Sequence, residues 1–323
     1  EVSEVSGVAG GTFIVTGGLG GLGLLTAKVL VRLGAARLVL LSRSGQVSHE
    51  GQGLEGELSW LQEESGCDVR VLRCDVSEEA SVVSMLAAVR GMCLEGAGGS
   101  GSGSGIRGII HAAGVIRDSL IRGGGASAGC AAVWSSKAQS AWLLHEHSVA
   151  DDLKYFVVFS SIVSAIGNIG QAAYSASNSY LDGLVEHRAQ RGLAGVSIQW
   201  PAVSGIGMAA AAAVDVDGIS IGPSEAERIL YECFVMRGGG GVRTIVPPGI
   251  RSWLKKGVLM QFEGVVRATA VAATVGDGRQ SASRSGGQGR ASRQKSRGQA
   301  LQQQQCGMSA AEVSQIVRSV VES

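Results

Sequence analysis

Four polar side chains in the middle of the sequence have the types and spacing that proton transfer to a carbonyl oxygen requires. Ser161 ends an apolar run, Tyr174 follows thirteen residues later, and Asn178 lies one helical turn beyond Tyr174. Lys137 belongs to the preceding helix-like segment. A tyrosine, with an unperturbed pKa of about 10, becomes a usable acid when a nearby ammonium stabilises its phenolate. Reduction of a carbonyl by hydride transfer needs such an acid and a second hydrogen-bond donor.

Strands that alternate with helices would have to position these side chains. Apolar runs of strand length, the last of them weaker, occur at 12–16, 37–41, 68–74, 106–111, 154–160, 195–200 and 243–246. Helix-length segments separate them at 21–33, 53–65, 77–93, 128–147, 172–191 and 223–236. This order predicts an α/β fold, a Rossmann-like doubly wound parallel sheet of about seven strands with helices on both faces. Ligands of that architecture bind beyond the carboxyl ends of the strands.

A glycine-rich loop connects the first strand to the first helix. It consists of Thr16, Gly17, Gly18, Leu19, Gly20, Gly21, Leu22 and Gly23. Glycines in this context allow a tight turn, let backbone amides approach a pyrophosphate, and let the helix pack closely on the sheet. The strand–loop–helix context therefore predicts a dinucleotide-binding site, the alternative being a flexible turn without a ligand.

The end of the second strand indicates which dinucleotide binds. It reads Ser42-Arg43-Ser44, without the carboxylate that an NAD site places against the ribose 2′-hydroxyl. Arg43 can hold a 2′-phosphate with its fork of donors, and the two serines add hydroxyl groups. The sequence therefore favours NADPH over NADH, the alternative being that Arg43 is an ordinary surface arginine.

Further cofactor contacts are predicted after the third and fourth strands, at Asp75, Val76, His111, Ala112, Ala113 and Gly114. Asp75 is placed to accept a hydrogen bond from adenine, although a carboxylate at this point could equally cap a turn. The small residues after His111 would let the ribose and nicotinamide lie close to the backbone. His111 taken alone could be a satisfied core histidine.

The chain resembles the ketoreductase domain of type I modular polyketide synthases, within the short-chain dehydrogenase/reductase superfamily. The matching pieces are GTFIVTGGLGGLGLLTAKVLVRLGAARLVLLSRSG, CDVS, GIIHAAGVIRDSL, FVVFSSIVSAIGNIGQAAYSASNSYLDGL, and IQW followed by GM. They cover Gly11 to about Met208 almost without interruption. The lysine before the tyrosine and the asparagine after it follow the order of synthase ketoreductases.

The resemblance implies a role for each of the four polar residues. Tyr174 would be the proton donor, and Ser161 would hold the carbonyl oxygen of the substrate. Lys137 and Asn178 would support ionisation of the tyrosine and relay its proton. The spacing of 37 residues from Lys137 to Tyr174 is also that of the family.

The substrate side departs from the family pattern. The segment Ile116-Arg117-Asp118 keeps only the last aspartate of the motif, which is typical of ketoreductases that form the D-hydroxy (B-type) product. Ile166 occupies the place of the tryptophan that marks the opposite class. Met208 would lie under the substrate lid, and the alanine-rich stretch 209–214 after it indicates a looser or differently shaped lid.

The resemblance implies NADPH-dependent reduction of a carrier-tethered β-ketoacyl thioester to the β-hydroxyacyl thioester, in polyketide or fatty acid biosynthesis. One alternative is a free-standing short-chain reductase of a small ketone, which would not need a linker or a carrier-like helix. The other is a non-catalytic nucleotide-binding module, which a broken set of four polar residues would favour. Here all four positions are filled.

The sequence divides into three expected parts. Residues 1–262 would form the catalytic domain, 263–307 a linker rich in Gly, Ser, Gln and Arg, and 308–323 the start of an acyl carrier protein domain. The expected partners are therefore an acyl carrier protein that bears a phosphopantetheine-tethered β-ketoacyl chain, and other domains of the same synthase. The family's structural subdomain does not precede the catalytic part, so an excerpt of a larger chain is expected.

Composition excludes several other classes. The 323 residues include 50 glycines and carry a net charge of +1, but residues 276–307 alone carry +5. The rest of the chain therefore has a net charge of −4, which offers no basic face to nucleic acid.

No apolar run is long enough for a membrane span, and the acidic amino terminus is no secretory signal, so a cytoplasmic protein is expected. The six cysteines form no metal-ligand spacing, and no metal site is expected.

Overall fold

The computed structural model describes residues 7–48, 51–95, 105–119, 126–208, 220–235 and 241–245. The predicted linker at 263–307, the carrier-like helix at 308–323 and the alanine-rich stretch 209–214 lie outside these described residues. The domain boundaries therefore stay predictions. The predicted catalytic part, by contrast, is described over most of its length.

The described strands are β1 (Thr12–Thr16), β2 (Arg37–Ser42), β3 (Asp68–Arg73), β4 (Ile106–His111), β5 (Tyr155–Ser161), β6 (Val196–Trp200), β7 (Ala202–Val203), β8 (Ser220–Ile221) and β9 (Gly241–Thr244). Seven of them form one parallel sheet in the order β3-β2-β1-β4-β5-β6-β9. The strand order reverses between β1 and β4, so the carboxyl ends of these two strands border the crevice where ligands of doubly wound sheets bind. The predicted seven-stranded, Rossmann-like α/β fold is confirmed.

The described helices are α1 (Gly21–Arg32), α2 (Leu54–Glu63), α3 (Glu79–Glu95), α4 (Ala126–Trp134), α5 (Ser140–Ser148), α6 (Val163–Ile166), α7 (Ala172–Gln190) and α8 (Pro223–Val235). A π-helical turn, Ser135–Gln139, joins α4 to α5. None of the helices that the structure describes combines the length and the apolar character needed to cross a bilayer.

The sheet separates two apolar clusters because successive side chains of a strand point to opposite faces. Phe13 and Val15 of β1 join the cluster that packs against α1, whereas Ile14 between them joins the cluster on the α3 side. All three side chains are fully buried. Burial on both faces is the reason that these strands read as continuous apolar runs in the sequence.

Two local features differ from the sequence prediction. The segment predicted as one helix at 128–147 consists of α4, the π-helical turn and α5. The strands β7 and β8 form a separate two-stranded parallel sheet that no apolar run indicated, since each has only two residues. The weaker seventh run at 243–246 is a strand, but it spans Gly241–Thr244.

Candidate active site

A cleft of about 300 Å³ opens at the carboxyl ends of the first four strands. The predicted residues that line it are Gly17, Leu19, Gly20, Gly21, Leu22, Gly23, Ser42, Arg43, Asp75, Val76, Ala112, Ala113, Gly114 and Met208. Thr16, Gly18 and His111 are buried behind this lining, and Ser44 is exposed beside it. The structure thus brings residues from four strand ends and from the segment around Met208 into one cleft.

Gly17 and Gly23 of the glycine-rich loop leave no room for a side chain. Gly17 has a φ of +63°, and a Cβ atom there would lie 2.9 Å from the carbonyl oxygen of Ala112. A Cβ atom on Gly23 would overlap the carbonyl oxygen of Gly17. Helix α1 begins at Gly21 with no side-chain cap on its first amides. Uncapped amides at a helix amino terminus attract phosphate, so this loop fits a dinucleotide pyrophosphate.

The residues after β2 form a turn at the rim of the cleft. The Ser42 hydroxyl accepts a hydrogen bond from Gly45 N at 3.2 Å, and the Ser44 hydroxyl accepts one from Gln46 N at 3.1 Å. The Arg43 side chain is exposed and lines the cleft. The two serines thus shape the turn that places Arg43 at the rim of the cleft, and a contact of Arg43 with a 2′-phosphate stays a prediction.

Asp75 makes the hydrogen bonds of a turn-capping residue, which was one of the two roles that the sequence allowed. Its Oδ1 atom accepts hydrogen bonds from Ser77 N at 3.0 Å and from Ser77 Oγ at 2.7 Å. Because Asp75 and Ser77 also line the cleft, the same turn positions both side chains beside it. An adenine contact by Asp75 stays a prediction.

Lys137 lies in the π-helical turn and is buried. Its Nζ atom donates a hydrogen bond to the Phe159 carbonyl oxygen at 2.9 Å and lies 5.3 Å from the centroid of the Tyr174 ring. Burial lowers its pKa to about 8. A Cβ atom on Gly114 would lie 3.1 Å from Lys137 Cγ, so the end of the cleft borders the lysine. A π-helical turn inside an α-helical segment often marks a functional position.

Helix α7 presents Tyr174 and Asn178 on the same face, next to the end of β5. Asn178 Nδ2 donates to the Tyr174 carbonyl oxygen at 2.8 Å, whereas its buried Oδ1 atom has no hydrogen-bond partner among the described residues. Ser161 Oγ donates to the Trp200 carbonyl oxygen at 3.2 Å. The structure therefore places the four polar residues of the sequence prediction together, beyond Gly114.

The pKa of Tyr174 departs from the sequence expectation. Burial of the phenol raises this pKa above its ordinary value, side-chain hydrogen bonding with Asn178 and Ser161 opposes the rise, and the charge of Asp118 adds to it. The sequence predicted a pKa lowered by a nearby ammonium; in the structure desolvation, which disfavours the phenolate, raises it instead. Tyr174 is protonated at neutral pH.

The predicted substrate-side residues lie at the edge of this group. Asp118 Oδ2 accepts a hydrogen bond from Gln171 Nε2 at 3.0 Å, and Ser119 N donates to the Gly170 carbonyl oxygen at 2.9 Å. These bonds fix the segment after β4 to the start of α7, three residues before Tyr174. Met208 lines the cleft, and Ile166 is buried.

No described group of three or more His, Cys, Asp or Glu side chains could hold a metal ion. His145 and His147, two residues apart on α5, have separate partners. His145 Nδ1 lies 2.8 Å from Arg188 Nη1, and His147 Nε2 lies 3.0 Å from Glu79 Oε1.

A family model for the KR (ketoreductase) domain matches residues 11–205. The chain belongs to the KR domain family. It is a KR domain of the type I polyketide synthase kind, with the fold of short-chain dehydrogenases/reductases. Membership of this family implies binding of a nicotinamide cofactor.

The curated relatives of this KR domain are large synthases. The chain is 40% identical over 195 residues to the phenolphthiocerol synthesis polyketide synthase type I Pks15/1 of Mycobacterium marinum, covering 60% of this chain and 9% of the relative. It is 36% identical over 208 residues to 6-methylsalicylic acid synthase of Penicillium patulum, covering 62% of this chain and 11% of that protein. The KR domain therefore spans about a tenth of the length of these relatives.

Solved structures of ketoreductases share the fold. The structure described as that of A-type ketoreductases from a modular polyketide synthase is 30% identical, with a TM-score of 0.62, over 74% of this chain and 48% of that chain. The ketoreductase from the first module of phoslactomycin biosynthesis in Streptomyces sp. HK803 is 28% identical, with a TM-score of 0.66, over 78% and 56% of the two chains.

Several cleft-lining residues of this KR domain were not predicted. They include Ser48, Ser77, Val115, Arg117, Ala132, Ser135, Ser136 and Gly207. Ser135 and Ser136 belong to the same π-helical turn as Lys137, and their position just before that lysine was the signal that could have indicated them. Asp182 was also missed, although it follows Asn178 by one helical turn on the face that carries Tyr174.

Proposed function

We propose that this KR domain reduces the β-keto group of an acyl thioester to the β-hydroxy group with NADPH. The observation that supports it is the convergence of Ser161, Tyr174, Lys137 and Asn178 beyond Gly114, at the end of the cleft. The exposed Arg43 at the rim favours NADPH over NADH because a guanidinium can pair with a 2′-phosphate. Bound NADPH supplies the hydride that the carbonyl carbon receives.

Ser161 would polarise the carbonyl oxygen of the substrate. Its hydroxyl now donates to the Trp200 carbonyl oxygen at 3.2 Å and accepts from Val163 N at 3.4 Å. A hydroxyl group has a single proton to donate, so Ser161 must rotate away from Trp200 when the substrate binds. The buried bond to Trp200 keeps Ser161 ordered until then.

Tyr174 would protonate the oxygen that gains charge. Because its pKa is raised, it enters the reaction with its proton in place, as reduction requires. The Lys137 ammonium, 5.3 Å from the ring centroid, would stabilise the phenolate that proton transfer leaves behind. The pKa of Lys137, about 8, is close enough to neutral for the lysine to release a proton toward the tyrosine.

Asn178 would complete the return of a proton to Tyr174. Its buried Oδ1 atom has no partner among the described residues, and an unpaired buried acceptor of this kind is a usual site for an ordered water molecule. A water bound there would donate a hydrogen bond to Asn178 Oδ1. It would connect Asn178 with donors that lie near Tyr174. This relay belongs to the proposal.

The proposed substrate is tethered to the phosphopantetheine of an acyl carrier protein, which with other domains of one synthase would be the partner of this domain. The support is that the matching relatives are synthases of which this domain covers about a tenth. The D-hydroxy (B-type) product stays a prediction from Asp118.

The test compares the wild type with Tyr174→Phe. With NADPH and a β-ketoacyl thioester, the wild type should oxidise NADPH, and Tyr174→Phe should lose turnover by roughly a thousandfold while the Kd for NADPH stays within about twofold. Tyr180→Phe is the matched control, because it makes the same change on the same helix at a half-buried ring that packs edge to face against Trp134.

Three outcomes would contradict the proposal in different ways. An active Tyr174→Phe enzyme would show that another group is the acid. Binding of NADPH without turnover by the wild type would favour a non-catalytic nucleotide-binding module. A higher kcat/KM for a free small ketone than for the carrier-bound thioester would favour a free-standing type of reductase.

A further inference from the structure

Asp182 is a buried carboxyl group close to the proposed catalytic residues but outside them. It lies on α7, one helical turn beyond Asn178, and its side chain is 6% exposed. Among the residues that the structure describes, it is the single buried carboxyl group. A buried carboxyl group is costly unless it is hydrogen-bonded and paired with an opposite charge, so its surroundings call for an explanation.

Three side chains hold Asp182 in place. Ser197 Oγ donates to Oδ1 at 2.6 Å, and Gln199 Nε2 and Ser164 Oγ each lie 2.8 Å from Oδ2. Ser164 Oγ also lies 2.8 Å from the Ser161 carbonyl oxygen. An ionised carboxylate accepts at both oxygens, so donation from Ser197 and Gln199 suits the charged form, whereas burial acts in the opposite direction and raises the pKa of Asp182. The network connects Asp182 with β6 and with the end of β5.

Lys137 approaches the end of β5 as well. Its Nζ atom donates to the Phe159 carbonyl oxygen, two residues before Ser161. Ser160, between them, donates through Oγ to the Asn178 carbonyl oxygen at 3.2 Å. The three residues at the end of β5 therefore connect a buried ammonium with a buried carboxylate. Lys137 is 3% exposed and Asp182 is 6% exposed.

We propose that Asp182 is the buried counter-charge of Lys137 and acts through it as a positioning residue of the proposed reduction. Its carboxylate keeps the Lys137 ammonium charged beside Tyr174, and its hydrogen bonds hold the strand end that carries Ser161. This role rests on the proposed function only in its consequence for turnover. The electrostatic coupling of the two charges can be tested on the folded chain alone, without turnover.

The electrostatics around Lys137 agree with this pairing. Burial lowers the pKa of Lys137 to about 8, and the charge of Asp182 acts in the opposite direction. The other titratable groups that face the lysine are His111 of β4 and Tyr174 of α7. His111 is neutral because burial lowers its pKa to about 3, and Tyr174 is neutral because burial raises its pKa. Glu186, on the next turn of α7, faces Asp182, and its pKa is raised by burial and, to a smaller extent, by the charge of Asp182.

The decisive experiment replaces the charge and keeps the shape, with Asp182→Asn. NMR titration of the full chain labelled with ¹³C at lysine Cε reports the pKa of Lys137, whose signal is assigned by its disappearance in Lys137→Met. We expect the pKa of Lys137 to fall by about one pH unit or more in Asp182→Asn, because an uncompensated buried ammonium loses its proton more readily. An unchanged pKa would overturn the pairing.

The pH profile of turnover provides a second measurement. In the wild type, kcat should decline as the pH rises through about 8, where Lys137 loses its proton. In Asp182→Asn this decline should move to lower pH by the same shift that NMR measures, and the KM for NADPH should stay within about twofold. A lower kcat with an unmoved profile would show that Asp182 has a merely structural role.

Ser197→Ala is the matched control. It removes one hydrogen bond to the same carboxylate but leaves the charge, so it should lower the melting temperature without moving the alkaline decline to lower pH. If Asp182→Asn does not fold, Lys137→Met gives the reciprocal test by NMR of ¹³C-labelled aspartate carboxyl groups. The pKa of Asp182 should then be higher than in the wild type, and an unchanged value would refute the proposal.

The two proposals can fail separately. If no thioester is reduced but the Lys137 pKa depends on Asp182, the proposed function fails and the charge pairing stands. If the wild type reduces the thioester and neither titration responds to its partner's replacement, the proposed function stands and the role of Asp182 fails.

Discussion

His111 Nε2 lies 3.0 Å from the Lys137 carbonyl oxygen, and His111 Nδ1 lies 2.8 Å from Thr16 Oγ1. A carbonyl oxygen can only accept, so Nε2 carries the ring proton and Nδ1 accepts from the Thr16 hydroxyl. Thr16 Oγ1 in turn accepts from Ala113 N at 3.2 Å. One buried neutral ring thus links the strand before the glycine-rich loop to the π-helical turn that carries Lys137.

Replacement of His111 should therefore destabilise the fold in a graded way. His111→Phe removes the ring nitrogens that bond the Thr16 hydroxyl and the Lys137 carbonyl oxygen. We expect the free energy of unfolding to fall by roughly 2–5 kcal/mol. His111→Gln can still donate to Lys137 and should lose less. Urea unfolding at neutral pH measures both values. Equal losses in the two variants would show that packing, rather than hydrogen bonding, decides the stability here.

The buried His145 should make the protein sensitive to acid. Burial, together with the charge of Arg188, lowers the pKa of His145 from 6.5 to about 4. Below pH 6.5 the unfolded chain binds a proton at this histidine that the folded protein refuses, so stability is lost as the pH falls toward 4. Between pH 7 and pH 5, urea unfolding should show that the wild type loses roughly 2 kcal/mol more than His145→Gln.

His145→Gln isolates this effect because a glutamine oxygen can accept the hydrogen bond from Arg188 but does not titrate. All other titrating groups are common to both proteins, so their contributions cancel in the difference. Parallel losses of stability in the two proteins would contradict the assigned neutral state of His145.

Two glycines of the glycine-rich loop should differ in how much stability the protein loses when each is replaced by alanine. In Gly23→Ala the new methyl group overlaps the backbone at Gly17 and Gly18, and we expect a loss of about 1–3 kcal/mol. In Gly20→Ala the methyl group lies 3.3 Å from the Gly17 carbonyl oxygen at an extended backbone conformation, so the loss should be small. Thermal unfolding without NADPH separates this backbone effect from cofactor binding. Similar melting temperatures for both variants would refute it.

Arg43 should decide the preference between the two nicotinamide dinucleotides. Loss of a charged hydrogen-bond donor to a 2′-phosphate costs about 1.5–3 kcal/mol, so Arg43→Ala should raise the Kd for NADPH roughly 10- to 150-fold. The Kd for NADH should change less than about twofold, since NADH lacks the phosphate. Arg70→Ala is the control, because Arg70 is an exposed arginine of β3 that pairs with Asp68. An equal loss for both dinucleotides would contradict a phosphate contact.

The order of the strands and helices could be predicted from the sequence because local backbone preferences determine it. Runs such as those of β1 and β4 are buried on both faces and therefore read as continuous apolar segments. The glycine-rich loop was equally recognisable, since close contacts at Gly17 and Gly23 exclude side chains there. The residue types of the proposed catalytic group could be read in the same way, and the family comparison agrees with the resemblance that they indicated.

Tertiary structure alone decided how those residues are held. Nothing in the segment 128–147 signals a π-helical turn, which the structure shows at the point where Lys137 is bound by Phe159 and His111. The raised pKa of Tyr174 and the network of Asp182 likewise depend on burial between elements that are far apart in the sequence. A periodic pattern reports which face of a single element is apolar. Desolvation and long-range hydrogen bonds arise only when the elements pack, because they depend on which atoms replace water around each polar group.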